Sequence, residues 1–538
     1  NKKKRLQTME WHERLKRPGV QALPNASTTK VEALRHLPVR ETQTCWVSWG
    51  SNASGVLAQG DAFNDVAIPK FTRLTKHPMD IAIGGNHIVA VDRNKTSIYT
   101  WGKNESGQLG NGTISQDSTS VPYFIGELNT KSKQIEHIEQ ETKKTTSSKN
   151  KRRQQAIERQ KEKNAKNKAN KIEIVEDKGE IQHLVEKMII TKKLLKWRRR
   201  SLFIGIAPNI RLTSRVQKIS CGWDHTIVLT VSGQAYGWGS NSKGQLGIGN
   251  GIGNGIGNVF IQKNETIVSM PTRIQIDDQD IAIIGVSTGR AHSLLLRGDG
   301  SVYGCGDNKY NQLGLNTKNI NNNEQTKMSE MVTTPGRIEW TSSQTVIEIC
   351  CGWQFSAART HSGQVFTWGD NRKGQCGHMI KLLKTIPHPV AVNFGCHNST
   401  SSIVRIACGW SHMLALDKSG AIFSWGRSDM GQLGIGESML PQQDGIAVFK
   451  ITMPNAHKRE NKIVQISCGS EHSMAVTSGG DLYSWGWGEH GNLGHGTTTN
   501  QMVPTRVTKF GAESGCYVKD IRSGGASVFA RVSRTVEK

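Results

Sequence analysis

The chain has 538 residues, with 69 Lys and Arg against 44 Asp and Glu and a formal net charge of +25. At about 150 residues each the length predicts three or four domains, and the charge favours acidic partners such as nucleic acid, ribosome, acidic protein patches or anionic lipid. No apolar run approaches the ~18–20 residues of a membrane-spanning helix, and ten Cys without a Cys-x-x-Cys pair fit neither a disulfide scaffold nor a zinc ribbon.

In chain order, residues 1–40 read as a basic N-terminal extension. Asn1 to Arg5 and Lys149 to Arg153 resemble nuclear-localisation clusters. No secretory apolar region follows the basic start. The chain does not open on Met, so an upstream piece is expected. Nucleus and mitochondrion both stay open as compartments.

From Cys45 onward the chain repeats itself, and repeats decide the fold. One signature is Trp-Gly, four residues, then Gly-Gln-Leu-Gly. It stands at Trp101 to Gly110, Trp238 to Gly247, Trp425 to Gly434 and, with Asn492 for Gln, Trp485 to Gly494. Trp368 to Gly377 carries Cys376 for Leu, Cys305 to Gly314 carries Cys for Trp, and Trp49 to Gly55 is a worn first copy. A second signature is Cys-Gly-x-x-His, at Cys221 to His225, Cys408 to His412 and Cys468 to His472. Altered copies stand at Ile83 to His87, Thr288 to His292, Cys351 to Phe355 and Ser523 to Ser527. Each signature occurs seven times. Between them lies a Pro: Pro69, Pro122, Pro271, Pro335, Pro387 or Pro389, Pro454 and Pro504.

A period of about 60 residues suits a propeller blade better than a solenoid turn. Each copy reads as short strands alternating apolar and polar residues, as in Ile463 to Cys468, Ser473 to Thr477 and Leu482 to Gly486. Ser478 to Asp481, Ser232-Gly233 and Lys418 to Gly420 predict hairpin turns. The chain opens on a Trp-Gly half and closes on a Gly-Gly half. The N-terminal strand is therefore expected to complete the last blade, leaving no open sheet edge. The expected fold is all-β: a seven-bladed propeller over 41–532, closed by its N- and C-terminal strands.

Residues 124–210 read as an insertion within that propeller. Residues 131–200 hold 22 Lys and Arg against 10 Asp and Glu, a net +12. Lys143 to Lys171 cannot bury a core and predicts disorder or a solvated helix. Glu180 to Arg200 places Ile181, Leu184, Val185, Met188 and Ile189 at helical spacing ahead of Arg198, Arg199 and Arg200, a basic amphipathic helix. With Lys151, Arg152 and Arg153 these arginines form the candidate basic patch. Docking on the propeller, an acidic protein and nucleic-acid phosphates all stay open, as does a plain solvated loop. Phosphate binding would bring steep salt dependence.

The paired signatures resemble the regulator of chromosome condensation repeat family over about 45–123 and 215–532. The resemblance implies a seven-bladed propeller of four-stranded blades. The family's founding member is an exchange factor for a small GTPase and is bound to chromatin; others are mitochondrial, ciliary, ultraviolet-sensing or fused to ubiquitin ligases. Fold is thus better determined than function. In the founding member an Asp before the loop His matters for exchange, and Asp224 matches that slot. In the photoreceptor, loop tryptophans interleave with Arg. Trp223, Trp353 and Trp410 occupy the slot here, but Asp224, Gln354 and Ser411 follow them, so light sensing is not expected. Binding anchors and inter-blade packing remain the alternatives for these indoles.

The candidate partner-binding residues on the Gly-x-x-His loops are Trp223, Asp224, Arg290, Trp353, Trp410 and Glu471. Three functions are weighed: an interaction scaffold, a guanine-nucleotide exchange factor, and a mitochondrial ribosome- or RNA-associated factor. The repeat histidines lie on different blades, so each is expected to bond its own blade rather than share a metal. Cys221, Cys351, Cys408 and Cys468 read as small core residues. The Gly-Ile-Gly-Asn run from Gly247 to Asn258 is a loop expansion, not a phosphate cradle. No hydrolase constellation, cofactor or metal site is expected, and the propeller is expected to be monomeric.

Overall fold

The computed structural model describes residues 44–127, 214–249 and 266–534, apart from 60–63, 73–77, 277–280, 316–329, 341–343, 380–382, 396–401, 437–447 and 455–460. The N-terminal extension and residues 128–210 of the predicted insertion lie outside these residues, while 124–127 end the strand Ser115–Glu127. Among the described residues the strands form seven four-stranded antiparallel sheets, a seven-bladed propeller. No helix there is long and apolar enough to cross a membrane.

The first complete blade shows the pattern: β3 (Pro78–Ile83), β4 (His87–Asp92), β5 (Ser97–Asn104) and β6 (Ser115–Glu127) lie side by side in that order. The next begins with β7 (Val216–Cys221) and β8 (His225–Thr230). The first strand of this blade is bulged near its start, so Val216 and Ile219 are buried while Gln217 and Lys218 between them face out. In five blades the second strand is buried at every position, as in His225 to Thr230, because neighbouring blades cover both of its faces. The prolines fall on outer strands: Pro122 in β6, Pro271 in Ile267–Arg273, Pro335 in Met331–Arg337 and Pro504 in Gln501–Arg506. An outermost strand has a free side, where the missing N–H costs no ladder bond.

Closure follows the expected half-repeat offset. β1 (Thr44–Gly50) pairs with β28 (Ser527–Arg534), with Val47 opposite Ala530 and Trp49 opposite Val528. The sheet order is β2 (Val66–Phe71), β1, β28, β27 (Cys516–Gly524). The N-terminus therefore gives the two outer strands and the C-terminus the two inner ones.

The Trp-Gly signature is the joint between blades. Each signature indole is buried and donates its N–H backwards to a backbone carbonyl of the preceding blade: Trp101 to Val56 (2.7 Å), Trp238 to Gln108 (2.9 Å), Trp368 to Gln312 (3.0 Å), Trp425 to Gln375 (3.1 Å) and Trp485 to Gln432 (3.1 Å). Trp49 to Asn492 (2.9 Å) repeats this across the closing seam. Cys305 substitutes for Trp with its thiol 3.6 Å from the Gln245 carbonyl. The last signature glycine makes room for the indole. At Gly434, φ is +69°, and a Cβ would come within 2.7 Å of the Trp485 ring nitrogen.

Trp49 thus ties the two chain ends together. Trp49→Ala should cost about 3–5 kcal/mol and Trp49→Phe nearer 1–2 kcal/mol, since Phe keeps most of the ring but loses the hydrogen bond. Equilibrium denaturation with urea checks both values. An alanine variant as stable as the parent would mean that the seam does not hold the ring.

Candidate partner-binding face

Two sets of turns emerge at one end of the ring. The first strand of each blade ends in the Gly-x-x-His turn, and the third ends in Trp-Gly with its loop. Antiparallel pairing sets them side by side, as His87 opposite Gly102 shows.

The glycine of the Gly-x-x-His turn has a local reason. The imidazole three residues later folds back over it, and a Cβ on Gly222 would lie 2.2 Å from His225 Cε1. The rings then reach the next blade rather than their own, which corrects the expectation from sequence. His87 Nε2 meets Thr226 Oγ1 at 2.8 Å, His225 meets Ser293 at 2.9 Å, His292 meets Ser356 at 3.1 Å and His412 meets Ser473 at 3.0 Å. Ser356 Oγ donates to the Gln312 carbonyl at 2.7 Å, so it accepts from His292 Nε2–H, which fixes the tautomer. Where Phe355 replaces the histidine, the facing residue is Met413, and both belong to one core cluster. Burial pushes His87, His225, His412 and His472 down to about 3 and His292 to about 4. All five rings are neutral, and the four with hydroxyl partners form the joints.

The residue after that glycine comes, around the ring, as Gly85, Trp223, Arg290, Trp353, Trp410, Ser470 and Gly525. Their backbones are stitched blade to blade: Arg290 N–H to Trp353 O (3.2 Å), Trp353 to Trp410 (3.1 Å), Trp410 to Ser470 (2.9 Å) and Ser470 to Gly525 (2.8 Å). The three tryptophans, scattered in sequence, meet at the axis. Ring centroids are 4.9 Å apart for Trp223 and Trp353, 5.6 Å for Trp223 and Trp410, and 4.2 Å for Trp353 and Trp410. All three are half-buried. The exposed Arg290 lays its guanidinium over the Trp353 ring at 5.2 Å. The cysteines sit beneath, between adjacent inner strands. Cys351 Sγ lies 3.4 Å from Ser287 O and Cys468 Sγ 3.6 Å from Ala407 O.

The two acidic candidates differ. Asp224 is half-buried and accepts from Gln108 Nε2 at 3.3 Å. Burial raises its carboxyl above the usual range, against the pull of Lys103 and Arg290. Glu471 is 7 % exposed, and both its oxygens are engaged, by Arg427 at 2.9 Å and Gln432 at 2.8 Å. It is bound into the joint rather than offered to solvent. The basic-patch candidates Lys151, Arg152, Arg153, Arg198, Arg199 and Arg200 lie outside the described residues.

Seven four-stranded blades joined by indole-to-carbonyl bonds and carrying a stitched loop ring define a closed repeat propeller. The RCC1-like domain family matches residues 204–530, and the regulator of chromosome condensation repeat matches 97–139 and, as a second description, 80–108. The chain belongs to the family of RCC1-like propellers. It is 25% identical to the ultraviolet-B receptor UVR8 of Arabidopsis thaliana over 85% of this chain and 76% of that protein. It is 29% identical to the secretion-regulating guanine nucleotide exchange factor of Bos taurus over 54% of this chain, spanning 60% of that protein's length. Among solved structures it resembles Prp20p of Saccharomyces cerevisiae, described with its binding to Gsp1p and histones (TM-score 0.62, 19% identity, 94% of this chain and 95% of that one). Human WBSCR16 is similar at TM-score 0.61 and 19% identity over 92% of this chain and 100% of that one.

A histidine whose folded pKa is lowered binds its proton more weakly than in the unfolded chain. Stability from these joints is therefore complete above about pH 6.5 and falls as pH drops toward 3–4, by about 1.4 kcal/mol per pH unit for each ring. The double change His292→Phe with Ser356→Met copies the Phe355–Met413 joint. It should leave the fold intact at pH 7 and flatten the urea-stability slope between pH 6 and 4.5 by about one histidine's share. An unchanged slope would count against the neutral-joint reading.

Proposed function

We propose that this protein is an interaction scaffold whose Gly-x-x-His loop face binds a protein partner. The observation that carries the reading is the gathering of Trp223, Trp353 and Trp410 beside exposed Arg290 at the centre of that face. Half-buried indoles and an arginine are the residue types that dominate binding energy in protein interfaces. The basic segment around 131–200 adds a second attachment, to an acidic partner or nucleic acid, by charge.

The test compares native-cell partner capture by the parent chain and by a Trp353→Ala, Trp410→Ala variant. The expected result is loss of a specific partner, at least tenfold, with the blades still folded by circular dichroism. Capture that is identical for both chains would remove the loop face as the binding surface.

A second reading is guanine-nucleotide exchange on a small GTPase. It is favoured by the relative named as an exchange factor and by Asp224 standing before His225. An acidic group at a nucleotide site could compete for the phosphate-binding lysine or disturb Mg²⁺ contacts. Asp224 is half-buried and tied to Gln108, so it would first have to leave that bond. On this reading labelled-nucleotide release from one member of a GTPase panel accelerates with micromolar protein, and Asp224→Asn removes most of the acceleration. A panel with no accelerated member would leave the scaffold reading alone.

A further inference from the structure

The loop ring is lopsided. Trp223, Trp353 and Trp410 fill one part of the axis, while Ser470, Gly525 and Gly85 stand together on three successive blades. Trp223 leans over Gly85, where a Cβ would come within 2.4 Å of its ring. Around the axis lies a depression of about 170 Å³ lined by residues of all seven blades, the three indoles among them. Its remaining lining is glycine, cysteine, Thr288, Ser523, Ile83 and Arg290. Arg290 is the one charged residue among them.

The electrostatics of this depression follow from that lining. The thiols stay protonated, Cys221 being pushed up to about 12 by burial, so they add no negative charge. Asp224 lies close enough to feel Arg290 but does not line the depression. Among the described residues no salt bridge ties up the Arg290 side chain, whose guanidinium lies over the Trp353 ring. A guanidinium stacked on an indole keeps its edge N–H groups free for a planar anion, which it can bind through two parallel hydrogen bonds. The volume suits one side chain rather than a nucleotide or a lipid headgroup with its chains.

We infer that this depression seats a carboxylate side chain, Glu or Asp, from a loop of the protein partner, paired to Arg290 and packed against the indoles. The inference rests on the loop-face reading above and names the chemistry of its centre. The carboxylate would displace water from a site whose aromatic walls lower the local dielectric, which strengthens its pairing with arginine. Charge complementarity selects it: an Arg or Lys side chain offered to the same depression would meet Arg290.

The probe is N-acetyl-glutamate amide at millimolar concentration, with N-acetyl-glutamine amide as its neutral isostere, titrated into the full chain and followed by tryptophan fluorescence. Saturable quenching by the glutamate probe, at least tenfold weaker binding of the glutamine probe, and at least tenfold loss in Arg290→Gln are expected. Equal binding of both probes, no binding of either, or an unchanged constant in Arg290→Gln would overturn the inference. Arg290 is exposed, so this variant is expected to fold; urea stability within error of the parent verifies that. Partner capture separates the two levels of argument. A partner lost from the Trp353→Ala, Trp410→Ala variant but retained at full strength by Arg290→Gln would overturn the carboxylate while leaving the face. A partner indifferent to both variants would overturn the face itself. A partner weakened in both supports both.

Discussion

A single kind of backbone carbonyl holds the ring together. Gln312 O receives the indole N–H of Trp368 and the hydroxyl of Ser356, and Gln432 O receives Trp485 and Ser473 in the same way. Both lone pairs of a buried acceptor are satisfied, by donors from the next blade. Each serine in turn accepts from the histidine of the blade before it, as Ser356 does from His292. The Gly-Gln-Leu-Gly loop, the Trp-Gly strand end and the Gly-x-x-His turn are thus three parts of one joint. This explains why the two signatures recur in equal number although they sit half a repeat apart. A buried polar chain of this kind is strong only when every member is paired, which makes each blade depend on its neighbour and the first blade on the last.

That dependence made the fold legible in the sequence and hid part of the site. Fourteen signature halves mark the blades, and the Cys45-to-Trp49 and Ile521-to-Ala530 halves announce the closing sheet. Cys305 in a tryptophan slot is no longer an anomaly: a sulfur 3.6 Å from Gln245 O takes the place of the indole. The histidines are a different matter. Their regularity gave a structural role, but a side chain one strand from the blade boundary bonds across it, and no linear pattern distinguishes its own blade from the next. The available signal was the residue after the histidine. Thr226, Ser293, Ser356 and Ser473 are hydroxyls, and Met413 faces Phe355. Matching each of them to the histidine of the preceding repeat would have revealed the joint.

The tryptophan cluster was concealed for a geometric reason. Trp223 and Trp353 are 130 positions apart with Arg290's blade between them, so sequence order suggested isolated indoles. Seven inner strands around a narrow axis bring alternate blades within side-chain reach, so the indoles of Trp223 and Trp353 meet across the blade of Arg290. The lopsidedness of the loop face comes from the same geometry. With Trp223 leaning over it, position 85 requires glycine, and the axial depression is lined mainly by glycines and cysteines beside the three indoles. A pseudo-symmetric scaffold thereby gains a polar, directional centre.

The connection from β6 to β7 departs from and returns to the ring at the end opposite the loop face. The Gly-x-x-His turns and Trp-Gly loops share one end. β6 runs away from that end, Glu127 pairing with Ser97 at the start of β5, and β7 begins where Val216 N–H bonds Lys95 O in the turn between β4 and β5. The chain therefore leaves β6 and re-enters β7 at the far end, so the sequence between Glu127 and Val216 is joined to the ring there. Its residues 131–200 carry a net +12, close to half of the total charge, yet the connection joins the ring a full strand length away from Arg290. At physiological ionic strength the Debye length is about 8 Å. Five to six residues of strand at about 3.3 Å each exceed that distance. The segment proposed to attach by charge thus joins the ring at the end opposite the proposed loop-face contact.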